Sequence, residues 1–246
     1  NIIKMNILVC LSNVPDTTTK IKLSGDSTAV DMAGVQWVIN PWDELALTRA
    51  LELKEKSDGK IEKITVITVG EAHTEPTIRK ALAVGADDAV RINAAPTDDY
   101  EVASNLAAYL KDNPYEIILS GIESSDYNGS AVGGMLAEFL KVSSVSSVSF
   151  LDIEGEQPIM KREIPGGTET VKVPIPFVAI VQKGIAIDPR IPAMHRIMMA
   201  RKKPLLVVEA SAGGAKSSFA SFGMPQPKAK VKMIDAENAG ELIALL

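Results

Sequence analysis

The chain has 246 residues, 46% of them hydrophobic and 23% charged, with a net charge of −5, which gives no support to a nucleic-acid binder, whose footprint would be basic. The single cysteine, Cys10, excludes an intramolecular disulfide and any multi-cysteine metal site. Aromatics make up only 4%, so the core must come from Ala, Val, Ile and Leu, a composition suited to helices packed on a buried parallel sheet.

Met5–Leu11 is a continuous apolar run followed by Ser, Asn and Pro, and predicts a buried strand ending at Cys10. Asn1–Lys4 precede it and are expected to be expression residues. Short β-prone pieces follow at Ile21–Leu23 and Val35–Ile39. A helix then starts sharply: Asn40 can cap it, Pro41 has the φ favoured in a first turn, and Asp43 and Glu44 suit the positive dipole end. Ile64–Val69 predicts a strand, Thr77–Val84 a helix closed by a left-handed Gly85, Asp88–Ile92 a strand and Tyr100–Leu110 a helix. Ile117–Leu119 predicts a fourth strand and Ser130–Leu140 a fourth helix. Four strand–helix alternations argue for an α/β fold with a doubly wound, mostly parallel sheet.

After Val142 short strands replace the helices, at Val145–Leu151, Ile159–Glu163, Val171–Val173 and Phe177–Val181, with a turn at Gly166–Gly167. This predicts a β insert. A basic helix, Pro192–Lys203, precedes a strand at Leu205–Val208. From Ser211 to Lys230 the composition is that of a linker, and an amphipathic piece, Ala236–Leu246, is expected to dock through Leu242, Leu245 and Leu246. The expected organisation is therefore one α/β domain over 1–209, including the loop and basic helix at 184–203, and an extended C-terminal arm over 210–246.

Ligands of open α/β sheets bind beyond the carboxyl ends of the strands. The loop from Ser120 to Gly134 is small, polar and Gly-studded, and it enters a helix. Its backbone N–H groups can approach a phosphate, Ser130 can donate a hydroxyl, and Asp126 and Asn128 can bond a ribose or base. From pattern alone an ordinary strand–turn–helix fits somewhat better, since the loop is neither a P-loop nor a dinucleotide fingerprint. Asn40-Pro41-Trp42-Asp43 reads first as a capped helix start, Cys10 as a core residue, and His195 as a surface histidine. No nucleophile–base arrangement emerges, so catalytic residues are not expected.

The segment Lys161-Arg162-Glu163-Ile164-Pro165-Gly166-Gly167-Thr168-Glu169-Thr170, followed by Ile187-Asp188-Pro189-Arg190 and Met198-Met199-Ala200-Arg201-Lys202-Lys203, resembles the signature of the electron-transfer flavoprotein β subunit. Asn40-Pro41, the run from Thr77 to Asp87, and Gly121 through Gly133 match in the same order. The resemblance implies an adenine-nucleotide-binding, Rossmann-like fold for the 1–209 domain, a partner recognition loop in the segment 184–203, and a heterodimer with an α subunit. It implies AMP, or in the electron-bifurcating branch a second FAD, in this subunit, and an FAD shared with the α subunit. Nucleotide contacts then fall on Cys10 (through its backbone), Asn40, Pro41, Trp42, Asp43, Val69, Gly121, Asp126, Asn128, Gly129, Ser130, Ala131 and Val132. Partner contacts fall on Met194, Ile191, Arg190 and Glu163. Electrons would pass from flavoprotein dehydrogenases, as in fatty acid β-oxidation, to a downstream oxidoreductase. Val132 stands where many members have Thr, and Met194 where Leu is usual. An NADH-oxidising bifurcating complex and a stand-alone adenine-nucleotide module are the alternatives. A cytoplasmic setting without membrane insertion is expected, since no apolar run reaches spanning length.

Overall fold

The computed structural model describes residues 4–155, 157–228 and 230–245. The chain forms β1 (Met5–Cys10), β2 (Asn13–Pro15), β3 (Trp37–Ile39), α1 (Pro41–Lys56), β4 (Ile61–Val69), α2 (Glu75–Val84), β5 (Asp88–Asn93), α3 (Asp99–Asp112), β6 (Ile117–Gly121) and α4 (Val132–Leu140). It continues through β7 (Ser143–Glu154), β8 (Gln157–Ile164), β9 (Gly167–Lys172), β10 (Phe177–Val181), α5 (Met194–Ala200), β11 (Leu205–Glu209) and α6 (Ala239–Leu245).

Nine strands make one sheet in the order β11-β5-β4-β1-β6-β10-β7-β8-β9. It is parallel from β11 to β7, and antiparallel where β8 and β9 extend it. The expected mostly parallel α/β sheet with a β insert is therefore present. Strand alternation sends side chains to opposite faces. Ile7, Val9, Ile64, Val66 and Leu119 join α1 and α2 in one apolar cluster. Leu8, Cys10, Ile67 and Ile118 join α3 and α4 in the other. Helices thus cover both faces, and the strands between them are buried on both sides. Buried Arg49 of α1 ties that helix to the insert, its Nε donating to the Leu151 carbonyl at 2.7 Å.

Several local expectations change. Ile21–Leu23 is not a strand; Leu23 makes only an isolated bridge to Val30. The piece before α1 is β3, whose partner is β2 in a separate two-stranded sheet. Gly85 closes α2 at φ 156°, outside the left-handed helical basin, and an added Cβ would stand 2.8 Å from Leu51 Cδ2. The fourth helix starts at Val132, because Ser130 takes φ 53° and Ala131 becomes the N-cap. The basic helix shortens to α5, and the chain after Ala200 turns so that Arg79 Nη1 can hold the Ala200 and Lys203 carbonyls at 2.9 and 2.7 Å.

The chain divides into two compact units. The larger holds residues 1–20 and 33–218. Its last stretch is strapped along α3: Asn105 Oδ1 accepts from the Ser211 and Ala212 N–H groups, and Asp98 Oδ2 accepts from those of Lys216 and Ser217 at 2.7 and 2.8 Å. Asp98 Oδ1 meanwhile caps α3 through the Glu101 N–H. The smaller unit holds residues 21–32 and 219–246. Within it Phe219 and Phe222 stack with ring centroids 5.1 Å apart, and Leu242 and Leu245 of α6 are exposed. Leu246 lies outside the described residues.

Candidate functional site

The order of the parallel strands reverses at β1, which has β4 on one side and β6 on the other. At such a switch point the loops leave in opposite directions and open a crevice beyond the carboxyl ends. Pairing of β1 with β6 stops at Val9↔Leu119. Beyond it Cys10 stays with Ile67 of β4, while Ser120 and Gly121 stay with Ile180 and Val181 of β10. Val69 ends β4 on the same rim.

The start of α1 fills the split. Asn40 precedes the helix but its side chain makes no cap hydrogen bond, so the capping expectation is corrected. Its Nδ2 instead donates to the Glu123 carbonyl at 2.8 Å, and its Oδ1 accepts from the Ser125 N–H at 3.2 Å. Asp43, 3% exposed, does more than complement the dipole. Its Oδ2 accepts from the Ser12 N–H at 2.7 Å and its Oδ1 from the Gly121 N–H at 3.0 Å. Burial pushes its carboxyl up to about 7 against these hydrogen bonds and those from Asn40 and the Ser12 side chain. Burial, with the Asp43 charge beside it, pushes the Cys10 thiol well above the ordinary range, which leaves no reactive thiolate. Gly121 has to be glycine, since an added Cβ would stand 2.3 Å from Asp43 Oδ1 and 2.9 Å from Trp42 Cβ.

The loop after β6 is exposed from Asp126 to Ser130. Asn128 and Ser130 have φ of 52° and 53°. The Ser130 hydroxyl donates to Glu123 Oε2 at 3.1 Å rather than standing at the helix start. Asp126 Oδ1 accepts from the Tyr127 N–H. Gly129 lies against α3: an added Cβ would sit 2.0 Å from Asp99 Oδ2. Ala131 offers no side-chain cap to α4, whose first turn holds no acidic residue, and Gly133 lets that helix approach β10, an added Cβ falling 2.7 Å from Ile180 Cγ1. Partly buried Val132 packs on the α3–α4 cluster. No Lys, Arg or His occurs from Asp112 to Leu140. A phosphate at this loop would therefore be met by backbone N–H groups and the end of α4, a fit that needs no cationic side chain.

The structure brings Cys10, Asn40–Asp43, Val69 and Gly121–Val132 to one rim. The partner-binding candidates are dispersed. Ile191 and Met194 are 91% and 77% exposed on the segment leading into α5. Arg190 is held by Glu55 through two hydrogen bonds of 2.6 Å, with its N–H donated to Thr48 Oγ1. Exposed Glu163 lies on β8, opposite Thr168 of β9, at the far end of the sheet. Sequence reasoning missed Ser12 and Asp99 as members of the crevice. Both enter through contacts distant in sequence and no local pattern marks them.

The fold defines an open, mostly parallel α/β protein with a crevice at its strand switch point. The family profile of the electron transfer flavoprotein domain matches residues 27–212. Electron transfer flavoprotein subunit beta of Bacillus subtilis (strain 168) is 33% identical, covering 98% of this chain and 97% of that protein. The subunit beta of Syntrophomonas wolfei is 34% identical over 95% of this chain and 91% of its own length, and that of Homo sapiens 29% identical over 99% and 97%. The chain belongs to the electron transfer flavoprotein β-subunit family, a family of electron-carrier subunits. Among the described residues no helix is long and apolar enough to cross a membrane.

Proposed function

We propose that this chain is the β subunit of a heterodimeric electron-transfer flavoprotein, which holds AMP in the β1–β6 crevice and helps hold an FAD carried mainly by an α subunit. The complex takes electrons from flavoprotein dehydrogenases and passes them to a downstream oxidoreductase. The observation that carries the reading is the glycine loop after β6, which opens into the uncapped start of α4 at the switch point. Family membership supports the α partner and the flavin. Residues 210–246 are read as an arm that contacts the α subunit, since α6 leaves its apolar side chains exposed. Ile191 and Met194 supply the apolar contact for a dehydrogenase, beside the positive charge of Arg196, Arg201 and Lys202.

Co-purified with its α subunit, the chain should release one AMP on denaturation, identified by mass, and the complex should show the absorbance of one flavin. Two flavins and no AMP would move the reading to the bifurcating complex. A nucleotide with no flavin would leave only the stand-alone module.

A further inference from the structure

We propose that Asp43 is a positioning residue whose carboxylate clamps the split between β1 and β6, and that protonating it frees one of the two strand ends and loosens the crevice's hold on a nucleotide. The inference rests on the nucleotide reading above and adds a proton to it.

The clamp is a matter of geometry. Two strands that run side by side up to Val9 and Leu119 part company at their last residues. One side chain, from the first turn of a third element, accepts the Ser12 N–H with one oxygen and the Gly121 N–H with the other. Asn40, three residues earlier, fastens the next stretch at Glu123 and Ser125. Neither side chain is turned toward solvent, both being buried. They act on a ligand through the backbone they hold, and Gly121, with no Cβ, lets that backbone approach Asp43 this closely.

An ionised carboxylate accepts at both oxygens, whereas a protonated one carries a hydroxyl that must donate. That hydroxyl oxygen is the poorer acceptor and its proton must find a partner, so the N–H bond on its side weakens, the Ser12 hydroxyl being the acceptor within reach. The surroundings offer little to prevent it. From the end of β1 come the Cys10 thiol, which is neutral because its own ionisation is suppressed, and the uncharged Ser12 hydroxyl. From the loop after β6, Glu123 takes the Ser130 hydroxyl. On α1 itself, Glu44 pairs with Lys80 at 2.5 Å. The influences on Asp43 are burial and hydrogen bonds, with no cation among them. Burial sets the titration near 7, so the clamp switches across neutral pH.

The two consequences have opposite signs. If nucleotide binds only the ionised, clamped form, apparent affinity scales with the ionised fraction. For a group titrating near 7, that fraction is about tenfold smaller at pH 6 than at pH 8. The nucleotide-free fold runs the other way. Its Asp43 pKa lies above the ordinary 3.8, so the stability linked to this proton is fully present below about 4 and lost as pH rises through about 7. Ordinary acid unfolding would weaken binding and stability together.

The test is calorimetric titration of the nucleotide-free full-length chain with AMP at pH 6, 7 and 8, beside the Asp43→Asn variant, with FAD in a parallel series. The wild type should bind AMP about tenfold more weakly at pH 6 than at pH 8 after the change in the variant is divided out, which removes the ligand phosphate's own titration near 6. Asp43→Asn should bind at pH 8 about as weakly as the wild type at pH 6. A ratio of the two affinities that stays constant with pH overturns the clamp. If neither AMP nor FAD binds the wild type at pH 8, the nucleotide reading itself falls. Should the variant fail to fold, the wild-type amide resonances of Ser12 and Gly121 decide the matter. They should titrate with a midpoint near 7, and resonances flat between pH 6 and 8 would refute the proposal.

Discussion

The central strands and the segment 187–199 are both rich in large apolar residues, yet they treat them in opposite ways. Ile7, Leu8, Val9, Ile117, Leu119 and Phe177 are wholly or almost wholly removed from water. Ile187, Ile191, Met194, Met198 and Met199 stand in it. The first set alternates across a sheet with helices on both faces, so every strand position finds a partner within its own domain. Met194, Met198 and Met199 lie on a short helix whose inner contact is made by Ala200 and by polar bonds from Arg79, and Ile187 and Ile191 on the segment before it, so the larger side chains stay outside. Apolar content alone does not say which residues build the core. The number of faces an element can bury does, and surplus apolar surface on an element with one small contact is what the proposed partner contact would cover.

The contrast can be broken most forcefully at Phe177. Phe177→Ala should cost about 3–5 kcal/mol in urea or thermal unfolding, from lost transfer energy and the cavity it leaves. A smaller loss would mean that the β6–β10–β7 junction collapses around the gap. Gly129→Val should act chiefly on the ligand. Its side chain must displace Asp99, so nucleotide retained through purification should drop severely while the melting temperature moves little. Full occupancy in that variant would place the phosphate elsewhere. Removal of residues 219–246 leaves the larger unit with its strap on α3. The truncated chain should melt as before and associate weakly with the α subunit in size-exclusion runs; full co-purification would defeat the arm's role. Met194→Ala should be the mildest, within about 0.5 kcal/mol of wild type as befits an exposed site, with slower flavin reduction by a partner dehydrogenase. A clear fall in melting temperature with normal transfer rates would show that Met194 packs inward.

The βα alternation was legible because each unit carries its own period and its own punctuation: Asn-Pro before α1, Gly85 after α2, an apolar run in each strand. The rim proposed to hold nucleotide was suggested in outline, since the glycines of the loop after β6 and the resemblance pointed to the same residues. What stayed hidden depended on distance along the chain. Nothing near Phe177 says that β10 slots between β6 and β7, or that β11 crosses to pair with β5. Asp43 has the local chemistry of a first-turn acid, and only its neighbours from Ser12 and Gly121 make it a bridge. Ser130 has the local chemistry of a cap, and a left-handed backbone with Glu123 as acceptor takes it out of the helix. Side-chain type announces what a residue can bond; the tertiary fold chooses with whom.

The strap along α3 has a consequence for how the chain tolerates change. Asn105 and Asp98 hold the stretch 211–217 through its main-chain N–H groups at Ser211, Ala212, Lys216 and Ser217. Those four donors are the same whatever side chain follows them, so the stretch is held chiefly by its spacing, with the Ser217 hydroxyl adding a bond to Asp98 at 3.1 Å and Lys216 Nζ resting over the Tyr100 ring. Proline is the one residue that removes a donor. An insertion or deletion between Ala212 and Lys216 would shift the second pair away from Asp98 while changing no residue it touches. Scrambling the side chains of 211–217 should loosen the strap only by the Ser217 hydroxyl and Lys216 contacts, and a single added residue should undo it.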